Sequence, residues 1–167
     1  MIVLSGTIDE VFGRLETMYA AKETKRTVMT KADVKTLIRQ KSSSFDVVVL
    51  DPFERKMSVE SMARKDEGLS SYPSWEAAAR LLAHPNFGMD CTDVPPLDAA
   101  NEGREQLVLY MCEFQGERPQ WPGVRFGDRT FLGRIVVTKQ LLLKCDDECA
   151  SVSVSLSDAD FVALTDR

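Results

Sequence analysis

Apolar residues recur at helical spacing near the start of the chain, at Ile8, Val11, Phe12, Leu15 and Met18. They follow a short apolar run, Met1-Ile2-Val3-Leu4, and a Ser5-Gly6-Thr7 turn. Thr7 and Glu10 fit a capping box, with Thr7 as the N-cap. The pattern predicts a strand over 2–5, a tight turn, and a helix over roughly 8–21. A second strand is predicted over 26–29. Thr30 to Gln40 puts Val34, Leu37 and Ile38 on one face, and Thr30 with Asp33 resembles a cap, so a short helix follows.

Phe45-Asp46-Val47-Val48-Val49-Leu50 is the clearest strand signal in the chain. A continuous β-branched run of this kind predicts burial on both faces, as in a parallel sheet. Asp51-Pro52 ends it. Arg55 to Lys65 reads as a helix, centred on about 57–66, with Met57 or Val59, Met62 and Ala63 inward. A weak strand over 69–72 leads to Pro73-Ser74-Trp75, which opens a helix over 74–83. Trp75, Ala78, Ala79 and Leu82 form its expected buried face.

The second half is less regular. Residues 88 to 105 hold Gly88, Pro95, Pro96 and Gly103 among several acids, the composition of a linker. Leu107 to Phe114 and Phe131 to Thr138 read as strands, Lys139 to Cys145 as a short helix, and Val152, Val154 and Leu156 as an edge strand. Residues 115 to 130 are rich in Gly and Pro, with Trp121 in a Pro-flanked turn.

Composition narrows the function classes. The 167 residues suit one domain or two small ones. A net charge of -5 argues against general nucleic-acid binding, and no apolar run reaches the length of a membrane span. Met1 opens directly into an expected core strand, so no signal peptide is expected, and the same start also fits a boundary inside a longer protein. Cys91, Cys112, Cys145 and Cys149 form no CxxC pair, so reduced thiols in an intracellular, reducing compartment are expected. With His84 the single histidine, no nucleophile-base-orienter pattern stands out, and no enzyme, metal or cofactor is expected.

The first turn carries candidate chemistry. Ser5 can donate a hydrogen bond, Gly6 lets the backbone approach a bound oxygen, and the helix start leaves N–H groups unpaired. Such an end binds anions, although the same turn also serves an ordinary strand-to-helix connection.

Three segments resemble a BRCT repeat: Val3-Leu4-Ser5-Gly6-Thr7 as first strand and turn, Phe45 to Asp51 as the buried third strand, and Tyr72-Pro73-Ser74-Trp75 as the opening of the last helix. Gly133 to Thr138 with Lys139 to Cys145, then Leu156 to Phe161, resemble the end of a second, degenerate repeat. The resemblance implies an α/β fold. It comprises a small parallel four-stranded sheet flanked by helices in a first repeat (1–92), a linker (93–105), and a shortened second repeat (106–167). An antiparallel sheet through Val47 to Leu50 would refute it. The resemblance also implies that Trp75 packs in the core. It implies a non-catalytic module of a nuclear scaffold protein, of the DNA-damage or kinetochore type, that binds phosphoserine or phosphothreonine proteins. By that resemblance the phosphate sits on Ser5, Gly6 and Lys56, with Thr7, Arg55, Arg64 and Lys65 as runners-up. Arg125, Arg129, Arg134 and Lys139 supply the peptide groove.

Two other readings stay open. The fold could serve packing or dimerisation without phosphate. Val47 to Pro52 also resembles the phosphoacceptor strand of a receiver, with Asp51 as acceptor and Lys139 as its lysine. The run Asp146-Asp147-Glu148 offers a weaker metal-site alternative.

Overall fold

The computed structural model describes residues 25–165. Strand β1 (Thr27–Val28) leads into helix α1 (Lys31–Gln40), and Thr30 caps it by accepting the Asp33 N–H at 3.1 Å. Strand β2 (Ser44–Asp51) turns back as β3 (Lys56–Glu67), then β4 (Ser70–Pro73) and helix α2 (Trp75–Leu82). The second half contributes β5 (Gly88–Val94), β6 (Glu105–Glu113), the hairpin β7 (Gly123–Phe126) and β8 (Arg129–Leu132), and β9 (Ile135–Cys145). It ends with β10 (Glu148–Val154) and helix α3 (Asp158–Thr165).

Five strands, β2, β3, β4, β10 and β9, close a mixed barrel, and β6 and β5 extend the sheet from β9. The expected parallel four-stranded sheet with flanking helices, and the second α/β repeat, are therefore corrected. Val47 to Leu50 pair antiparallel with β3, and Val48 to Leu50 also pair antiparallel with β9. Among the described strands only the short β1–β9 and β4–β10 pairings are parallel. The hydrophobic run of β2 is buried on both faces as its composition demands. That burial comes from layers above and below an antiparallel sheet, a solution the run alone does not distinguish from a parallel one.

Strand β9 organises the whole. One edge carries β2 at residues 135–137 and β10 at 139–145, while the other carries β6 at 135–141 and β1 at 143–144. Alternation then sorts side chains into two cores. Phe45, Val47 and Val49 of β2, Val108, Tyr110 and Cys112 of β6, and Val136 of β9 pack under Ala77, Ala78 and Leu82 of α2. Val48, Leu107, Leu109, Ile135 and Val137 face the other way, under the β7–β8 hairpin and Leu164 of α3. Helix α1 covers a third cluster through Val34 and Ile38 against Leu143, Cys145, Ala150 and Val152.

Two expected helices are strands. Residues 57–66 form the middle of β3, because Asp51 Oδ1 accepts the Phe53 and Glu54 N–H groups and turns the chain back along β2. Met62 alone of the expected apolar face is fully buried, while Val59 is exposed. Residues 139–145 lie in β9, where Leu142 and Leu143 are buried on successive faces of a central strand. Part of the expected linker, Gly88–Val94, is strand β5.

Helix α2 forms where expected, with Ser74 as its N-cap, but turned about its axis. It buries Ala77, Ala78 and Leu82, and Trp75 is 51% exposed, so the assignment of Trp75 to the core is corrected. Trp75 touches Tyr110 edge-on at 6.1 Å between ring centres. Trp75→Ala is expected to cost about 1–2 kcal/mol, an edge contact plus partial burial, against the 3–5 kcal/mol of a buried aromatic. A thermal melt measures it, and a loss above 3 kcal/mol contradicts the exposed placement.

Candidate functional site

Ser5, Gly6 and Thr7 lie outside the described residues. The cations expected to accompany them are dispersed. Lys56 opens β3, exposed and ion-paired with Glu54. That bond raises the Lys56 ammonium pKa. Arg55 sits at the tip of the β2–β3 turn with a left-handed φ of 52°. Arg64 points into the barrel seam, where its guanidinium bonds Ser71 Oγ, Ser153 O and Ser42 O. Lys65 is exposed, with its ammonium 6.0 Å from the centre of the Tyr72 ring.

The four groove residues are divided as well. Arg125 bonds Gly127 O at 3.3 Å, and Arg129 bonds Thr92 Oγ1 at 3.0 Å. Arg134 pairs with Asp51 at 2.9 Å on the α2 side of the sheet. Lys139 lies on the α3 side, 3.2 Å from Glu105 and 3.0 Å from Asp160. Asp51 is buried, and its oxygens accept from Arg134, Phe53 and Glu54. Burial opposes its ionisation, but the Arg134 bond and the two backbone N–H groups hold its pKa below the usual carboxylate value. Among the described residues no group of His, Cys, Asp or Glu is placed to hold a metal, and Glu148 of the acidic run pairs with Lys31.

The structure instead gathers residues to which the sequence assigns no site role. Phe53 comes from the β2–β3 turn, His84 and Phe87 from the loop after α2, Phe114 from the end of β6, and Trp121 from the Pro-flanked turn. Trp121 is the hub. His84 stacks on it at 4.3 Å, and Phe53, Phe87 and Phe114 approach it at 5.7, 4.9 and 5.5 Å with steep interplanar angles. These are the offset and edge-on geometries that ring quadrupoles favour. Gly133 permits them. Its φ is +79°, and a Cβ there would lie 3.0 Å from the indole. The His84 imidazole is held toward its neutral form, first by burial and then by the nearby Arg134, and its buried Nε2 has no hydrogen-bond partner. It serves as one more flat ring under Trp121.

The outer rings are partly open, with Phe53 41% and Phe87 37% exposed. Beside Phe87 and Phe114, whose rings stand 5.3 Å apart at 71°, lies a recess of about 330 Å³. Asn86, Gly88, Glu113, Gln115 and Glu117 complete its wall. Gly88 pairs with Glu113 across β5 and β6. A Cβ on Gly88 would come 3.1 Å from a Glu113 carboxylate oxygen, so glycine leaves that carboxylate room over the strand. Two aromatic side chains and two acidic residues lining one concavity form an environment for a cation. No known protein family matches this chain, and no curated protein or solved structure matches it either.

The signal for this site was present but diffuse. Phe87, Phe114 and Trp121 are separated by loops whose meeting depends on the path of β5 and β6. A tryptophan in a Pro-flanked turn, in a segment too rich in Gly and Pro for a core element, is the local signal from which the cluster could have been found.

Proposed function

We propose that the protein is a non-catalytic binding module that takes a lysine or arginine side chain of a partner protein into the recess beside Phe87 and Phe114. The observation that carries this reading is the pairing of the two rings with Glu113 and Glu117 in one concavity. The net charge of -5 adds long-range attraction for a basic partner. The rings behind the recess hold Phe87 and Phe114 in place without lengthening either side chain's reach. A phosphopeptide reader has less support, because Lys56, Arg134 and Lys139 already have carboxylate partners and the last two lie on opposite faces of the sheet.

The test is a calorimetric titration with a lysine-rich peptide, its glutamate counterpart, and a phosphoserine peptide. The lysine peptide is expected to bind best, and more weakly as salt is raised. Phe87→Ala removes one ring and is expected to weaken binding about 2- to 30-fold, the range of one cation–π contact. The double change Glu113→Gln and Glu117→Gln is expected to weaken it further and to flatten the salt dependence. Preference for the phosphopeptide, or equal affinity in wild type and both variants, overturns the reading.

A further inference from the structure

The recess lies at the end of a sheet edge. Among the described residues β5 pairs only with β6, and its outer edge is unpaired. The Cys91 N–H donates to the Asp90 carboxylate at 2.8 Å, so it points outward and not into the β6 ladder. Backbone groups of successive strand residues alternate sides. The N–H and C=O groups of Met89, Cys91 and Asp93 therefore face outward, while those of Gly88, Asp90, Thr92 and Val94 face β6. An edge of this kind is a template for another strand.

Charge decides which strand. Asp90 and Asp93 both lie on β5, and Glu113 and Glu117 stand at its start. A second copy of β5 aligned antiparallel on the first would add two more carboxylates to the same edge, with Asp90 facing Asp90 or Asp93 facing Asp93 in the registers centred on them, and like charges on facing strands destabilise the pair. A basic strand meets the opposite situation. The partner's carbonyl can take the Cys91 N–H, and Asp90, released from that amide, is free to pair with the partner's cation. Arg129, bonded to Thr92, repels a cation toward the other end of the strand. The cation thus belongs at the Gly88–Asp90 end, where the recess opens.

We infer that the partner segment binds as an added strand along the outer edge of β5, with its basic side chains at alternate positions and one of them seated in the recess. This rests on the recess reading above and specifies how the partner is held: backbone hydrogen bonds supply affinity, and the recess sets register. The Asp90 carboxylate guards the edge until a strand replaces it.

The experiment is amide hydrogen exchange, read by NMR on the full chain, with and without a lysine–valine alternating peptide. Exchange at Met89, Cys91 and Asp93 is expected to slow at least about tenfold on binding, corresponding to about 1.4 kcal/mol of added protection. The inward-facing amides of Asp90, Thr92 and Val94 are expected to change little. A peptide N-methylated at alternate residues, which keeps its charges but loses donors, is expected to bind at least about tenfold more weakly. If the peptide binds and responds to Phe87→Ala while the three amides and the N-methylated peptide show no change, strand addition is wrong and the recess reading stands. If no lysine peptide binds, both fall together.

Discussion

Lys139→Met is expected to destabilise the protein by about 3–5 kcal/mol, the cost of leaving buried charge without its partner. Lys139 is 9% exposed and bridges Glu105 of β6 to Asp160 of α3. Methionine preserves most of the buried stem but leaves both carboxylates facing an apolar wall. Asp160 does more than pair. Its carboxylate accepts the Ser157 N–H and hydroxyl at 2.8 Å each, and its own N–H donates to Ser157 Oγ, a reciprocal cap on α3. Urea denaturation measures the loss, and the change is expected to free α3 as well as lower global stability. A loss under 1 kcal/mol overturns the clamp. The acid limb gives a second check. Burial opposes ionisation of Asp160, but its bonds to Ser157 and Lys139 hold its pKa below the usual carboxylate value. Its contribution is therefore complete above the unfolded-state value of about 3.9 and is lost as pH falls through the lower folded value. The wild type is expected to lose stability over that range, and Lys139→Met to lose less there.

Arg64→Met is expected to cost roughly 3–5 kcal/mol and to open the barrel at one seam. The β4–β10 contact has a single register pair, Val152 with Ser71. Arg64 reinforces it from β3 by bonding Ser71 Oγ at 3.0 Å, Ser153 O at 2.6 Å and Ser42 O at 3.0 Å, with Phe45 against its guanidinium. Ser71 and Ser153 are buried, so their oxygens have no water to turn to when the guanidinium is gone. Arg64→Lys is expected to recover only part of the loss, because an ammonium cannot span three acceptors with a planar fork. Hydrogen exchange should show the damage concentrated at residues 71–73 and 150–154. Equal exchange across the sheet in wild type and variant overturns the assignment.

Local signals survived folding where the local cause was sufficient. The Thr30 cap, the apolar run of β2, and the Ser74 start of α2 all rest on neighbours within a few residues. The rotation of α2 did not show, because Trp75 and Ala77 both fit an apolar stripe and only the sheet beneath chooses between them. The segments 57–66 and 139–145 contain good helix formers at near-helical spacing, and their strand state comes from partners elsewhere in the chain. Arg64 and Lys139 illustrate the same limit for function. As letters they are cations available to a ligand. In the fold each is committed to partners brought in from other strands, with Arg64 and Ser153 lying 89 positions apart. The aromatic recess was hidden for the converse reason, since its rings are ordinary loop and strand-end residues until β5 and β6 align them.

The place of β9 also sets an order of events during synthesis. Four strands depend on it, and it spans Ile135–Cys145, so β2, β5 and β6 leave the ribosome well before the strand that joins them. The β2–β3–β4 meander and the β5–β6 pair can form early, each with an apolar face still open to solvent. Pairings this distant in sequence form slowly. The nascent chain thus passes through a stage with two incomplete sheets awaiting one strand, the stage at which a chaperone has most to cover.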